Sequence, residues 1–134
     1  MRYLTVIAAI AAYVAGFGSL SAQQAALPST QDCLKSGDAV KGKVRFVRTR
    51  HPNGMRIEVY QLIDVRGACL KDDDFCEEGK PPTKFHVVPA DEKVKKELAR
   101  SVVKTLTVRA KEIFCAQTAW HIGDAVMLGA TIEK

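Results

Sequence analysis

Hydrophobic and polar positions alternate along the chain from residue 40 onward. In Val40–Phe46, apolar or small residues occupy every second position and cations fill the places between them. The same alternation returns in Met55–Gln61 and continues to Val65. Because successive side chains of a strand point to opposite sides, this period of two predicts two half-buried strands. Asn53–Gly54 lies between them and is a strong hairpin signal, so we expect these strands to pair antiparallel.

Three further strands are predicted downstream. Lys84–Val88 is a short apolar-rich run, and Leu106–Lys111 alternates again before ending near Phe114. Val126–Ile132 closes the chain with another β-prone run. Runs of this length bounded by turn residues are typical of strands, which gives a total of five.

One helix is predicted between the third and fourth strands. Val94, Leu98 and Val102 recur at intervals of four and form one apolar stripe. Asp91 can cap the first turn, where Glu92 also suits the helix dipole. The resulting chain order, with five strands and a helix between the third and fourth, is that of an OB-fold, a small Greek-key barrel. The predicted fold class is therefore mainly β.

The N-terminus has the pattern of a cleavable secretory signal peptide. Arg2 is followed by an uncharged apolar run and then by small residues, and the run is shorter than the ~20 residues that a membrane anchor needs. We predict cleavage near Ala22 and hence a periplasmic or secreted protein with no membrane span in the mature chain. The predicted organisation is a signal peptide at 1–22, a leader segment at 23–36 and an OB-fold-like domain at 37–134.

Four cysteines lie beyond the predicted signal peptide, namely Cys33, Cys69, Cys76 and Cys115. An even count in a small exported domain predicts two disulfides, and four cysteines allow three pairings. We favour Cys69–Cys76, which closes a small ring, together with Cys33–Cys115. A metal site is disfavoured because no pair of cysteines has the spacing of two intervening residues that is common in zinc sites.

Charge and acidic residues limit the partners that the chain suits. Its 134 residues carry a formal net charge of +5, which is mildly basic and below what a dedicated nucleic-acid-binding domain shows. An acidic cluster within residues 66–83 does not have the spacing of an EF-hand calcium loop, so we interpret it as a solvated surface loop. Because export also removes the usual ligand of an OB-fold, nucleic acid is not an expected partner.

Two segments resemble a family of uncharacterised exported bacterial proteins, the DUF4431 family. Leu62–Cys69 is similar to that family's aliphatic strand running into a cysteine, and Val108–His121, leading to Val126, is similar to its strand, turn and histidine-containing loop. The resemblance implies an exported OB-like fold and implies no activity. The family usually has a small histidine cluster where this chain has His121, so no metal or catalytic site is carried over. A weaker likeness, at the level of fold, is to the B-subunits of AB5 toxins.

No catalytic, cofactor or metal site is predicted. His51 lies in the hairpin turn, His86 on the polar side of the third strand and His121 in the last loop, so we expect surface histidines. A metal site would need their convergence and further ligands. The chain also lacks a nucleophile-elbow, phosphate-loop or dinucleotide-binding pattern.

Cations cluster on the strands that an OB-fold places side by side. Lys41, Lys43 and Arg45 share one side of the first strand, and Arg109 and Lys111 share one side of the fourth. These five residues are predicted to form one outward basic face. It is either a solvated barrel surface or a contact for an anionic partner, such as lipid headgroups, an acidic glycan or an acidic protein.

The last loop supplies the other candidate binding residues, Thr118, Trp120 and His121. Trp120 either is exposed and stacks on a sugar or a protein partner, or plugs the end of the barrel. The function we expect is a non-enzymatic exported binding or accessory protein. The alternatives are an oligomeric toxin-type B-subunit that binds host glycans, and a small hydrolase or metalloprotein.

Overall fold

The computed structural model of the chain describes residues 33–71, 75–77 and 79–134. The predicted signal peptide with its cleavage site near Ala22, and the leader up to residue 32, lie outside the described residues. Most of the acidic cluster, Asp72–Asp74 and Glu78, also lies outside them. No helix within the described ranges is long and apolar enough to cross a membrane.

In the described ranges, six strands and one helix follow one another in the order predicted for the fold, with the helix after the third strand. Their bounds are β1 Ala39–Arg50, β2 Arg56–Ile63, β3 Phe85–Pro89, α1 Glu92–Arg100, β4 Thr105–Arg109, β5 Glu112–Cys115 and β6 Ala125–Glu133.

The strands close into a ring. β1 pairs antiparallel with β2 on one side and with β4 on the other, and β2 continues to β3. β6 pairs antiparallel with β4 and parallel with β3, which joins the two ends of the sheet. The spatial order β1-β2-β3-β6-β4 is that of an OB-fold-like barrel, so the predicted fold class is confirmed.

The predicted fourth strand is divided into β4 and β5. Both pair with β6, but the backbone of Ala110 between them turns to the N-terminal segment instead. Its N–H donates to Asp38 O at 3.4 Å, and its carbonyl oxygen accepts from Gly37 N–H at 2.9 Å. Lys111 N–H then bonds Leu128 O, which returns the chain to β6. This bend is why the barrel has six strands where five were predicted.

Side chains of alternate residues fill the barrel, and the helix adds to the core at one end. The apolar stripe of α1 behaves as predicted, since Val94 and Leu98 are buried and Val102 packs partly buried against the core. Asp91 is the predicted N-cap, with Oδ1 accepting from Val94 N–H at 2.9 Å. The largest fully buried side chains are Phe85, Leu62, Leu98, Met127, Val44, Val87, Val108 and Val126.

Two disulfides form, but not in the favoured pairing. Cys33 bonds Cys69 and Cys76 bonds Cys115. The reason is that the N-terminal segment runs beside the chain after β2, where Leu34 N–H donates to Cys69 O at 2.8 Å and Lys71 N–H donates to Leu34 O at 3.0 Å. Both predicted bonds, Cys69–Cys76 and Cys33–Cys115, were therefore wrong. Two disulfides indicate an oxidising environment outside the cytoplasm.

We expect the double variant Cys33→Ser/Cys69→Ser to lose about 2–4 kcal/mol of unfolding free energy, because the bridge closes a ring with a sequence separation of 36 residues. Chemical unfolding monitored by circular dichroism measures this loss. The same variant should show no reactive thiol in denaturant, since Cys76 and Cys115 still pair. Two reactive thiols would contradict the observed connectivity.

Candidate functional site

A row of side chains crosses the outer face of the barrel from strand to strand. Neighbouring pairs in the sheet register place Arg45 opposite Gln61, Gln61 opposite His86, His86 opposite Val126, and Val126 opposite Phe114. Outward side chains of a small barrel normally face water. Gln61 and His86, however, are only 3% and 8% exposed. Another part of the chain must therefore cover this face.

The cover is the segment between β5 and β6, residues 116–124, which we term the Trp120 loop. Gln61 Nε2 donates to Ile122 O at 2.5 Å, and Ile122 N–H donates to His86 Nδ1 at 3.1 Å. Arg45 donates to Gln61 Oε1 from Nε and Nη2, at 3.2 and 2.6 Å. Both backbone polar groups of Ile122 are thus held by side chains of the outer face. Buried polar groups that are satisfied in this way fix a loop in one position.

Asp124 fixes the end of the Trp120 loop at the start of β3. Its Oδ2 accepts from the backbone N–H groups of Thr83 and Lys84, at 3.0 and 3.1 Å. Its own N–H donates to Lys84 O, and its carbonyl accepts from Ala116 N–H. Gly123 has φ +152°, and a Cβ there would lie 2.9 Å from Lys84 O, so this close approach requires glycine.

The three histidines meet around the Trp120 loop. His51 stacks on Trp120 with ring centroids 3.9 Å apart, and His121 contacts Phe114 edge-on at 5.5 Å. Burial, assisted by the neighbouring His121, lowers the pKa of His86 to about 4. His86 is therefore neutral at pH 7, with Nδ1 free to accept from Ile122. The expectation that all three are surface histidines was wrong for His86, because the loop covers the face to which it points.

One sequence signal marks His86. His86 lies within Phe85–Val88, where all the other residues are apolar and do not alternate with polar ones. Such a run is typical of a strand buried on both faces, and a lone histidine inside it is then a buried one. Gln61 has a weaker signal, since the alternation of its strand places it on the same side as the apolar Ile57 and Val59. Across the ranges that the structure describes, no group of three or more potential ligands could hold a metal ion.

Trp120 lies on the outer face and does not plug the barrel. Trp120 is 42% exposed to solvent. Thr118 is exposed beside it, with Oγ1 accepting from Trp120 N–H at 3.3 Å, and the half-buried His121 accepts Gln117 N–H at Nδ1. The loop thus presents an indole next to an imidazole and a hydroxyl, on a backbone held at Ile122 by side chains of the barrel.

The predicted basic face is partly realised. β1 and β4 are neighbours as expected, and Lys41, Lys43 and Arg45 are exposed along β1. Arg109 is exposed but is neutralised by Glu133, to which its Nε donates at 3.1 Å, and its Nη1 donates to Gly37 O. Lys111 lies beyond the bend at Ala110, with its aliphatic stem over Gly129. Of the five predicted cations, the three of β1 thus lie together on one exposed side of the strand, and Arg45 connects that side to the Trp120 loop through Gln61.

A cleft of about 760 Å³ lies beside the Cys76–Cys115 disulfide, where the two ends of the Trp120 loop contribute Ala116, Gly123 and Asp124 to its lining. Among the described residues that line it, Lys80 pairs with Glu77 at 2.6 Å, and the Asp124 carboxylate is occupied by Thr83 and Lys84. Its charged groups are thus already engaged with one another or with backbone. We do not assign a site to it.

Comparison with protein-family models, with curated proteins and with solved structures finds no match to the chain. The resemblance to the DUF4431 family therefore stays a prediction.

The His86 contact predicts a pH-dependent stability. The unfolded chain takes up a proton at the ordinary histidine pKa of about 6.5, whereas folded His86 resists protonation until about pH 4. The free energy of unfolding should therefore fall as the pH drops from 6.5 to 4. In His86→Asn, whose side-chain oxygen can replace Nδ1 as an acceptor but does not titrate, this slope should be weaker.

Urea unfolding at a series of pH values measures the effect. Leu98→Ala is the matched control, because it lowers stability through the core without changing a titratable group and should keep the wild-type slope. If the pH dependence of the unfolding free energy in His86→Asn equals that of the wild type, His86 is not the titrating group.

Proposed function

We propose that the chain is an exported, non-enzymatic binding protein that recognises an anionic glycan with the surface around Trp120. The observation that carries the proposal is the combination of an exposed indole with a loop clamped from below. Gln61 and His86 are buried to hold Ile122, while Trp120, two residues before it, stays 42% exposed.

Rigid presentation of an aromatic ring favours binding. Association loses free energy when a loop and its side chains must be ordered, so a preformed loop binds more tightly than a mobile one. Tryptophan offers a large flat surface with one polar N–H, and it is enriched among residues that dominate binding. The stack of His51 under the indole restricts the ring further.

Charge favours an anionic ligand over a neutral one. Arg45 belongs to the hydrogen-bonded network that fixes the Trp120 loop, and Lys41 and Lys43 follow on the same side of β1. Exposed cations of this kind attract anions from a distance and raise the local ligand concentration. An acidic polysaccharide can contact the indole with a sugar ring and these cations with its carboxylates or sulfates.

Acidic polysaccharides occur outside the cytoplasm, where an exported protein can meet them. The basic start, apolar run and small residues of the first 22 positions support a signal peptide, and two disulfides suit a periplasmic or extracellular location. The resemblance to exported DUF4431 proteins points the same way.

Isothermal titration with dextran sulfate and with uncharged dextran tests the proposal. We expect binding of the sulfated polymer only, and a loss of affinity of about tenfold or more in Trp120→Ala, since removal of a central aromatic typically costs 2 kcal/mol or more. Phe75→Ala removes another exposed ring, beside Cys76, and should bind like the wild type.

The charge contribution is tested by Lys41→Glu/Lys43→Glu. Lys93→Glu/Lys96→Glu changes the net charge equally but on the exposed side of α1. We expect the first pair to weaken binding and the second to leave it nearly unchanged. Equal losses in both would mean that only overall charge matters, and the proposed site would have to be abandoned.

A further inference from the structure

β1 extends well beyond its pairing with β4. It pairs with β4 only from Ala39 to Lys43, whereas its pairing with β2 runs on to Arg50 at the hairpin. The hairpin closes where His51 N–H donates to Met55 O at 2.8 Å. Among the described residues, the second half of β1 therefore has a neighbouring strand on one side only.

The direction of each backbone group along this half follows from the register. In an antiparallel ladder, alternate residues direct N–H and C=O toward the same partner. His51 bonds toward β2, so the odd-numbered residues of β1 do the same and the even-numbered ones point away. Val44 agrees, because its N–H donates to Lys104 O and its carbonyl accepts from Val103 N–H, each at 2.9 Å.

The next even-numbered residues, Phe46, Arg48 and Arg50, direct their backbone groups away from β2. In the part of the chain that the structure describes, no strand pairs with them on that side. The edge Phe46–Arg50 is about 16 Å long at the usual rise per residue. Val103, 72% exposed, stands at its inner end and adds an apolar contact.

The charge along this edge is positive. Arg48 and Arg50 project from the same side of β1, and exposed Lys104 follows Val103. The nearby acid is Glu58, whose Oε1 lies 3.3 Å from Arg48 Nε. Like charges placed opposite each other in a sheet are destabilising, and opposite charges are stabilising. A second copy of the same edge would oppose arginine to arginine, whereas an acidic strand would complement it.

We propose that the edge Phe46–Arg50 binds an extended acidic segment of another protein as an added strand. The backbone groups of Phe46, Arg48 and Arg50 supply the hydrogen bonds of the new ladder, and the arginines select carboxylates at alternate positions of the segment. Addition of a strand to an open sheet edge is a general mode of peptide recognition. The backbone groups of this edge belong to β1 and not to the Trp120 loop, although His51, which stacks on Trp120, directly follows Arg50. The proposal does not depend on the glycan proposal.

Amide hydrogen exchange of the full protein, read by NMR, tests the proposal with a synthetic peptide of about seven alternating Glu and Val residues. We expect the amides of Phe46, Arg48 and Arg50 to exchange rapidly in the free protein and to become protected with the peptide. Val47 and Thr49, already paired with β2, should be protected in both states.

Two peptide controls define the mode of binding. A peptide with Lys in place of Glu should not bind, and one N-methylated at alternate residues should fail because it lacks the donors of a ladder. Protection of Phe46, Arg48 and Arg50 in the free protein, or equal binding of the Lys peptide, would overturn the proposal.

Protein variants complete the test. Arg48→Glu/Arg50→Glu should weaken binding of the Glu peptide about tenfold or more, as expected when two cross-strand charge pairs become repulsive. Lys93→Glu/Lys96→Glu, with the same change of net charge, should keep it, as should Trp120→Ala. Loss of peptide binding in Trp120→Ala would assign the peptide to the loop surface and refute the edge.

Discussion

The parallel pairing of β3 with β6 joins the ends of the sheet, and the geometry of the outer face follows from it. Without this ladder, β3 would be an edge strand and the chain from β5 to β6 would be free to leave the barrel. With it, Phe85 stands opposite Ala125 and His86 opposite Val126. The loop that precedes β6 must then return to the sheet beside β3, directly above Gln61 and His86.

Closure also explains why polar side chains are buried outside the core. A glutamine and a histidine under a loop lose solvation, which is tolerable only if each finds a partner. The backbone of Ile122 provides one donor and one acceptor, and the two side chains match them. Because the match needs a neutral imidazole, the same burial that keeps His86 uncharged maintains the acceptor that holds the loop.

Local patterns predicted the framework of the protein and little of its loops. The alternation in Val40–Phe46, the Asn53–Gly54 turn and the Asp91 cap each act over a few residues, and each is found as expected. The pairing of Cys33 with Cys69 depends on where two distant segments run, which no spacing reveals. The meeting of His51 with Trp120 likewise depends on a loop path set by barrel closure. Residue type and loop position suggested Thr118, Trp120 and His121 as candidates, but not Gln61 and His86, which hold the backbone of Ile122 in the same loop.

The order of the disulfides has a consequence for how the chain matures. The first cysteine is bonded to the second, Cys33 to Cys69, and the third to the fourth, Cys76 to Cys115. The two covalent rings therefore neither nest nor cross. In a chain that emerges N-terminus first, Cys33 and Cys69 are both available before Cys76. Oxidation in order of appearance then gives the native pairs directly, and no wrong bond has to be broken and exchanged.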